Sequence, residues 1–375
     1  MIYLDNSATT QLLPEVRAAM EPYLAGEYGN ASSVHSLGVR ARNALEEARE
    51  VIARAIGAES SEIVFTSGGT EANNWAIKSA LFSHLRDSRP FHIFTSPVEH
   101  HSVLEPIEWC AKFGADISYA KPDDVGCITA AGVEASLDDT TSLVSLMMVN
   151  NETGNVTDIK SIAEIVRSKS NALIHTDAVQ AFGKLPVNVQ ELGVGTLSLS
   201  AHKIHGPKGI GALYIRAGLK LEPLLHGGSQ ERNRRGGTEA VALAVGFAEA
   251  VKRIQLNSTT SFRSYLLSKF AEIPTVVLNS ASDDRCIDSI VNFTFTPNVL
   301  AKLDADTLIM RFDLEGIAVS NGAACTSGSQ QPSHVLMALG KGKDVASKSV
   351  RVSFSRFNTT SDVDRLVEVV KKIVS

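Results

Sequence analysis

Ile63-Val64-Phe65-Thr66-Ser67-Gly68-Gly69-Thr70-Glu71, followed by a helix-like stretch to Leu85, reads as strand, glycine turn and helix in one run. The glycines let the backbone approach closely, and the helix start beyond them offers free N–H groups and the positive end of its dipole. Such a turn has the chemistry of a phosphate site. It is neither a P-loop, since no Gly-Lys-[Ser/Thr] follows, nor a Gly-x-Gly-x-x-Gly dinucleotide loop. Taken alone, it is equally well a strand-to-helix turn capped by Thr70.

The same alternation extends outward in both directions. Arg40–Ile56 has the i, i+3/i+4 apolar spacing of an amphipathic helix, and Gly57 stops it. Short runs rich in β-branched or aromatic residues recur at Phe91–Phe94, Leu143–Val149, Leu173–Ile174, Leu197–Leu199 and Gly211–Ile215, with a helix-like stretch at Ile159–Ser168. This pattern predicts an α/β domain with a mainly parallel sheet. Past about residue 255 the texture changes. Phe262–Ala271, Thr275–Leu278, Ser289–Phe295, Asp304–Leu314, Ser333–Leu339, Val350–Phe354 and Asp362–Ile373 read as a smaller α/β domain. The expected division is a large domain over 15–255 and a small domain over 1–14 and 256–375, although the N-terminal arm has the character to pack on either.

At 375 residues, 44% apolar, the chain is long enough for a large core. A net charge of −5 without a long Lys/Arg run argues against nucleic acid as a ligand. The start, Met1-Ile2-Tyr3-Leu4-Asp5, lacks the features of a signal peptide, and no apolar run is long enough to span a bilayer. Cys110, Cys127, Cys286 and Cys325 are scattered, without disulfide or zinc-ligand spacing. The expectation is a soluble cytoplasmic protein with no membrane and no resident metal.

In open α/β sheets, ligands sit beyond the carboxyl ends of the strands. Five consecutive strand candidates end in polar groups: Ser67–Glu71, Glu99-His100-His101, Asn150–Gly154, His175-Thr176-Asp177 with Gln180, and Ser200-Ala201-His202-Lys203. One such ending means little, whereas five on one rim are hard to explain as solubility. Lys203 is either a solvated surface residue or a Schiff-base lysine whose amine loses its proton by burial. Asp177 suits a helix cap or the partner of a pyridinium nitrogen, and His100 a core histidine or a proton carrier stacked on a flat ring. Arg351, inside an apolar strand, needs an anion: a structural carboxylate or that of a substrate. Cys325, in Ser320-Asn321-Gly322-Ala323-Ala324-Cys325-Thr326-Ser327-Gly328-Ser329, is surrounded by small residues, which suits an exposed nucleophilic thiol better than a packed one. The remaining cysteines read as structural.

Taken together, these residues resemble the cysteine desulfurases of the NifS/IscS type, within the class V aminotransferase group of fold-type I pyridoxal-phosphate enzymes. The match is carried by Leu4–Thr10, Thr66–Glu71, Val149–Gly154, His175–Gln180, Ser200–Gly209, His226–Arg232 and Gly322–Ser329, and runs from residue 2 to about residue 372. The resemblance implies a large domain with a mainly parallel, seven-stranded sheet, a smaller C-terminal α/β domain, and pyridoxal 5'-phosphate bound covalently to Lys203. It further implies that His100 stacks over the ring, Asp177 meets the pyridine nitrogen and Gln180 the ring hydroxyl. Gly69, Thr70, Ser200 and His202 would hold the phosphate, joined by Thr238 from the partner subunit of a homodimer. Asn151 would lie near cofactor and substrate, and Arg351 would take the carboxylate of L-cysteine.

In the reaction so implied, Cys325 takes sulfur from L-cysteine as a persulfide, leaving L-alanine, and passes it to a sulfur-acceptor or scaffold protein for iron–sulfur cluster, thio-cofactor or tRNA biosynthesis. Cys325 would then also be a transient iron–sulfur ligand, and the small-residue loop around it matches the group I form. Two alternatives remain: a related lyase or aminotransferase, which needs no such cysteine, and a catalytically silent scaffold of the same fold.

Overall fold

The computed structural model describes residues 1–86, 90–256, 258–322 and 331–375. Its strands are β1 Ile2–Tyr3, β2 Ile63–Thr66, β3 His92–Thr95, β4 Asp116–Tyr119, β5 Thr141–Ser145, β6 Leu173–Asp177, β7 Thr196–Ser200 and β8 Gly211–Ile215, followed by β9 Val276–Leu278, β10 Ile290–Phe295, β11 Ile317–Ala318 and β12 Val350–Ser353. The main sheet has seven strands in the order β2-β8-β7-β6-β5-β3-β4. β4, β3, β5, β6 and β7 run parallel, and β8 alone runs against both of its neighbours, β7 and β2.

Residues of β2, β7 and β8 are buried throughout, as strands covered on both faces by helices must be. The helix Gly69–Arg86 covers one face, burying Ala72, Trp75, Ala76, Ala80 and Leu81. The helices Pro14–Leu24, Ser36–Ala55 and Val241–Lys252 pack on one another and add Val16, Leu45, Ile52, Phe247 and Val251 to the principal core.

Two boundaries differ from the sequence reading. The run Leu143–Val149 is strand only to Ser145, and beyond it Leu146 and Met148 donate their N–H groups to the carbonyls of His175 and Asp177. β4 was not foreseen at all. It lies at the sheet edge, where only partial burial leaves Asp116-Ile117-Ser118-Tyr119 without an apolar signature.

A second, antiparallel sheet, β12-β10-β9, has its own core, built from Leu4, Leu266, Phe270, Phe293, Phe295, Phe312, Val350, Leu366 and Val370 among others. The arm runs between the two sheets. β1 pairs with β11, Leu4 enters the second core, and Thr10 N–H donates to the His202 carbonyl at 3.0 Å, against the main sheet. Among the described residues, no helix is long and apolar enough to cross a membrane.

Candidate active site

The carboxyl ends of β2, β5, β6 and β7 open onto a cavity of about 500 Å3. Gly69, Thr70, His100, Asn151, Asp177, Gln180, Ser200, His202, Lys203 and Arg351 all line it, together with Ser7, Asn73 and Ser102. Ten of the twelve predicted site residues are thus brought together. Thr238 is not among them: it lines a separate depression with Ser67, Gly209 and Gly237. Cys325, and with it the predicted sulfur-carrying and iron–sulfur roles, lies outside the described residues.

At the phosphate-like turn, Gly68 has φ +155° and the helix begins at Gly69. A Cβ on Gly69 would sit 2.7 Å from Val179 Cγ2, so only glycine lets this helix start close against the segment after β6. The first N–H groups of any helix lack intrahelical acceptors, and here they face a cavity that also holds Thr70, Ser200 and His202.

Lys203 closes a short helical turn, Ala201–Lys203, directly after β7. Its Nζ donates to the Ser7 carbonyl and, at 2.8 Å, to the Ala8 carbonyl, both in the N-terminal arm. Burial, reinforced by the nearby Arg351 cation and opposed by Asp177 and Asp5, lowers its pKa to about 8. The amine is therefore far more often neutral than that of a surface lysine.

Behind the cavity lies a network that the sequence did not reveal. Asn73, fully buried on the helix Gly69–Arg86, donates from Nδ2 to Asp177 Oδ2 at 2.7 Å and to Ser102 Oγ at 2.8 Å. Its Oδ1 lies 3.1 Å from His175 Nε2, and His175 Nδ1 lies 2.9 Å from Thr196 Oγ1. Burial lowers the His175 pKa to about 3, so the ring is neutral and donates from Nε2 to the Asn73 oxygen. Asp177 also accepts from Val179 N–H at 2.9 Å. Its carboxylate is thereby fixed at the cavity wall.

His100 caps the helix His101–Ala111. Its Nδ1 accepts from Ser102 N–H at 3.1 Å and lies 2.7 Å from Ser102 Oγ, which itself accepts from Asn73. With Nδ1 accepting, the proton of the neutral ring resides on Nε2. Burial lowers the His100 pKa, with Asp177 acting in the opposite direction. His202, held by Thr9 Oγ1 at 3.2 Å, is lowered to about 4 by burial and by Lys203. Both rings are neutral at ordinary pH.

Arg351 pairs with an internal anion as well as facing the cavity. Its Nη2 meets Asp5 Oδ1 at 2.8 Å and its Nη1 donates to the Asn151 carbonyl at 3.0 Å. Among the described residues its Nε has no partner, and neither have Asn151 Oδ1 and Ser7 Oγ. All three residues line the cavity. Buried polar atoms without partners are costly, and three in one cavity wall mark a place built for a polar ligand. A phosphate at the helix start, a ring nitrogen at Asp177 and an aldehyde at Lys203 together fit pyridoxal phosphate.

The other cysteines are structural, as expected. Cys110, Cys127 and Cys286 are buried, and burial raises their thiols to about 12, 11 and 11.

The pattern described as "Aminotransferase class-V" matches residues 2–366. The sequence is 43% identical to the cysteine desulfurase IscS of Dictyoglomus turgidum, over all of this chain and 94% of the relative. It is 42% identical to that of Methanosarcina thermophila, over all of this chain and 92% of the relative. Among solved structures, a NifS-like protein superposes with a TM-score of 0.89 at 33% identity, covering 100% of this chain and 98% of its own. SspA in complex with cysteine superposes with a TM-score of 0.83 at 36% identity, covering 96% and 100%.

Proposed function

The chain belongs to the class-V aminotransferase family, and from that premise we propose that it is a pyridoxal-phosphate-dependent cysteine desulfurase. The net reaction transfers one sulfur: L-cysteine and the Cys325 thiol give L-alanine and a Cys325 persulfide. A carbon–sulfur bond of the substrate breaks, a sulfur–sulfur bond forms, and the protons balance between the two products. The observation that carries this reading is the convergence of the predicted residues on one cavity around a lysine with a depressed pKa.

When bound, pyridoxal phosphate supplies the electron sink that lets the substrate Cα give up its proton. The residues that would hold it are Gly69, Thr70, Ser200 and His202 at the phosphate, Asp177 at the ring nitrogen, and Lys203, Gln180, Asn151 and His100 around the ring. Lys203, neutral in a useful fraction of molecules, would hold the aldehyde end of the group and is the amine placed to move the Cα proton. Asp177, pinned by Asn73, is held where the ring nitrogen would lie. His100 offers its Nε2 proton to the departing groups. Arg351, already bonded to Asp5, uses its unpartnered Nε edge for the substrate carboxylate.

The same proposal assigns residues 15–255 to a cofactor-binding domain, and 1–14 with 256–375 to a smaller domain that carries the nucleophile. It makes the protein a cytoplasmic homodimer in which Thr238 completes the neighbour's phosphate site. The persulfide sulfur goes to an acceptor or scaffold protein that serves iron–sulfur cluster, thio-cofactor or tRNA biosynthesis.

The test is alanine and sulfide release from L-cysteine in the presence of a thiol reductant, for the parent and for Cys325→Ala. Release that collapses in the variant while cofactor stays bound supports the persulfide route. Equal release from both would transfer the reading to a lyase, and none from either would end the desulfurase reading.

A further inference from the structure

Seven residues past Asp177, after the left-handed Gly183 (φ +80°), a lysine occupies a place that disfavours its charge. Lys184 is half-buried at the wall of a second depression, and burial together with the Lys203 and Arg351 cations lowers its pKa to about 7. No carboxylate contributes to that shift. Its Nζ donates to Gln180 Oε1 at 2.5 Å, four residues earlier in the chain.

The consequence falls on Gln180. Its Nε2 donates to the Ser7 carbonyl at 2.9 Å, and the same carbonyl accepts from Lys203 Nζ. The two ends of an amide are nearly isosteric, so their sense must come from their partners. Here the Ser7 carbonyl only accepts, and Lys184 only donates in its ammonium form, which prevails below its pKa of about 7. Gln180 therefore carries its nitrogen on the side of Ser7 and Lys203, and one of its two N–H groups remains for the cavity that Gln180 lines. Without Lys184, Oε1 loses its partner among the described residues and only the Ser7 carbonyl is left to set the amide, and a flipped amide would place a carbonyl oxygen among the oxygens of an anionic ligand.

We propose that Lys184 is a positioning residue whose hydrogen bond to Gln180 makes that amide present an N–H, and not its carbonyl, to an oxygen of the bound cofactor. The proposal rests on the pyridoxal-phosphate reading above and deepens it: Lys184 acts through Gln180 and never touches the ligand.

The test uses the full-length protein, stripped of cofactor and titrated with pyridoxal phosphate, with the visible spectrum of the loaded form followed against pH. Lys184→Met should weaken cofactor binding about tenfold and move the pH midpoint of the visible band by about one unit, since a donor beside an ionisable oxygen has become an acceptor. Lys184→Arg, which retains a donor, should restore both to within about threefold of the parent. Gln180→Glu, with acceptors only, should shift the midpoint in the same direction as Lys184→Met, and combining the two should add little, because they break one interaction. Parent-like affinity and midpoint in Lys184→Met would overturn the proposal and leave the desulfurase reading intact. A parent that binds no pyridoxal phosphate would overturn both. Should Lys184→Met fail to fold, Gln180→Glu decides, and a parent-like midpoint there is equally fatal.

Discussion

Arg351→Gln should make Lys203 harder to deprotonate and so slow the uptake of cofactor at neutral pH. With its pKa lowered to about 8, about a tenth of Lys203 is neutral at pH 7, against roughly 0.03% for an ordinary lysine near 10.5. Burial is the larger cause and the Arg351 cation the next. Removing that cation also leaves the Asp5 carboxylate without its 2.8 Å partner, and Asp5 favours the charged amine. Both effects raise the pKa, together by about one unit, so the neutral fraction at pH 7 falls about tenfold. The assay mixes stripped protein with sub-saturating pyridoxal phosphate and follows the growth of visible absorbance from about pH 6 to 9.5. In the parent the rate should rise tenfold per unit and level off above about pH 8, whereas in Arg351→Gln the same plateau should be reached about one unit later. Salt should alter the difference little, since the charges concerned are sheltered from solvent. A variant that levels off at the same pH as the parent would refute the electrostatic coupling. The stability of the stripped protein follows the same titration. Between about pH 8 and 10.5 the unfolded chain binds the proton that folded Lys203 has lost, so this group makes stability rise with pH, by at most about 3 kcal/mol.

Lys203→Ala should abolish the yellow absorbance of bound cofactor, and a retained band would exclude Lys203 as the covalent attachment point. Asn73→Ala removes three buried hydrogen bonds, one of them to a carboxylate, and should cost about 3 kcal/mol in urea unfolding as well as weakening cofactor binding. An unchanged urea midpoint would show that the network is not under load. Glu231→Gln breaks a buried bidentate pair with Arg49, at 2.6 and 2.9 Å, that anchors residues with φ of 47°, 59° and 63° at Glu231, Arg232 and Asn233. Losing about 3–5 kcal/mol of pairing where left-handed backbone already costs about 1–2 kcal/mol per residue should release this segment. Trypsin should then cut after Arg232, Arg234 or Arg235 well before the rest of the chain, and an unaltered digestion pattern would count against the anchor.

The site was legible because its residues follow strands, and strands announce themselves by apolar runs. Lys203, Asp177 and His100 could be placed on one rim from order alone, since parallel strands put their carboxyl ends together. What stayed hidden depends on packing between elements remote in sequence. Asn73 looks like an ordinary polar position in a helix until that helix lies across β6 and meets Asp177, 104 residues later. Asp5 belongs to a recognisable motif, yet its contact with Arg351 spans 346 residues and exists only because the arm, after β1 pairs with β11, runs beside β12 through the Asp5–Ser353 bridge. β4 escaped for a simpler reason: at a half-exposed edge, nothing requires its side chains to be apolar.

The arm also explains why Lys203 is oriented without being held fully charged. A carboxylate as its hydrogen-bond partner would favour the ammonium strongly, as any close ion pair does. Its actual partners are the carbonyls of Ser7 and Ala8, which direct the amine through dipoles alone. The nearest part of the arm does supply a carboxylate, Asp5, but Arg351 occupies it. Arg351 thus lowers the Lys203 pKa twice over, by its own charge and by neutralising the anion that would oppose it. In the same position its free Nε edge still faces the cavity. A substrate carboxylate arriving there would partly cancel the Arg351 charge. The Lys203 amine would then be more basic than without the substrate, which is what a group that takes a proton from Cα requires.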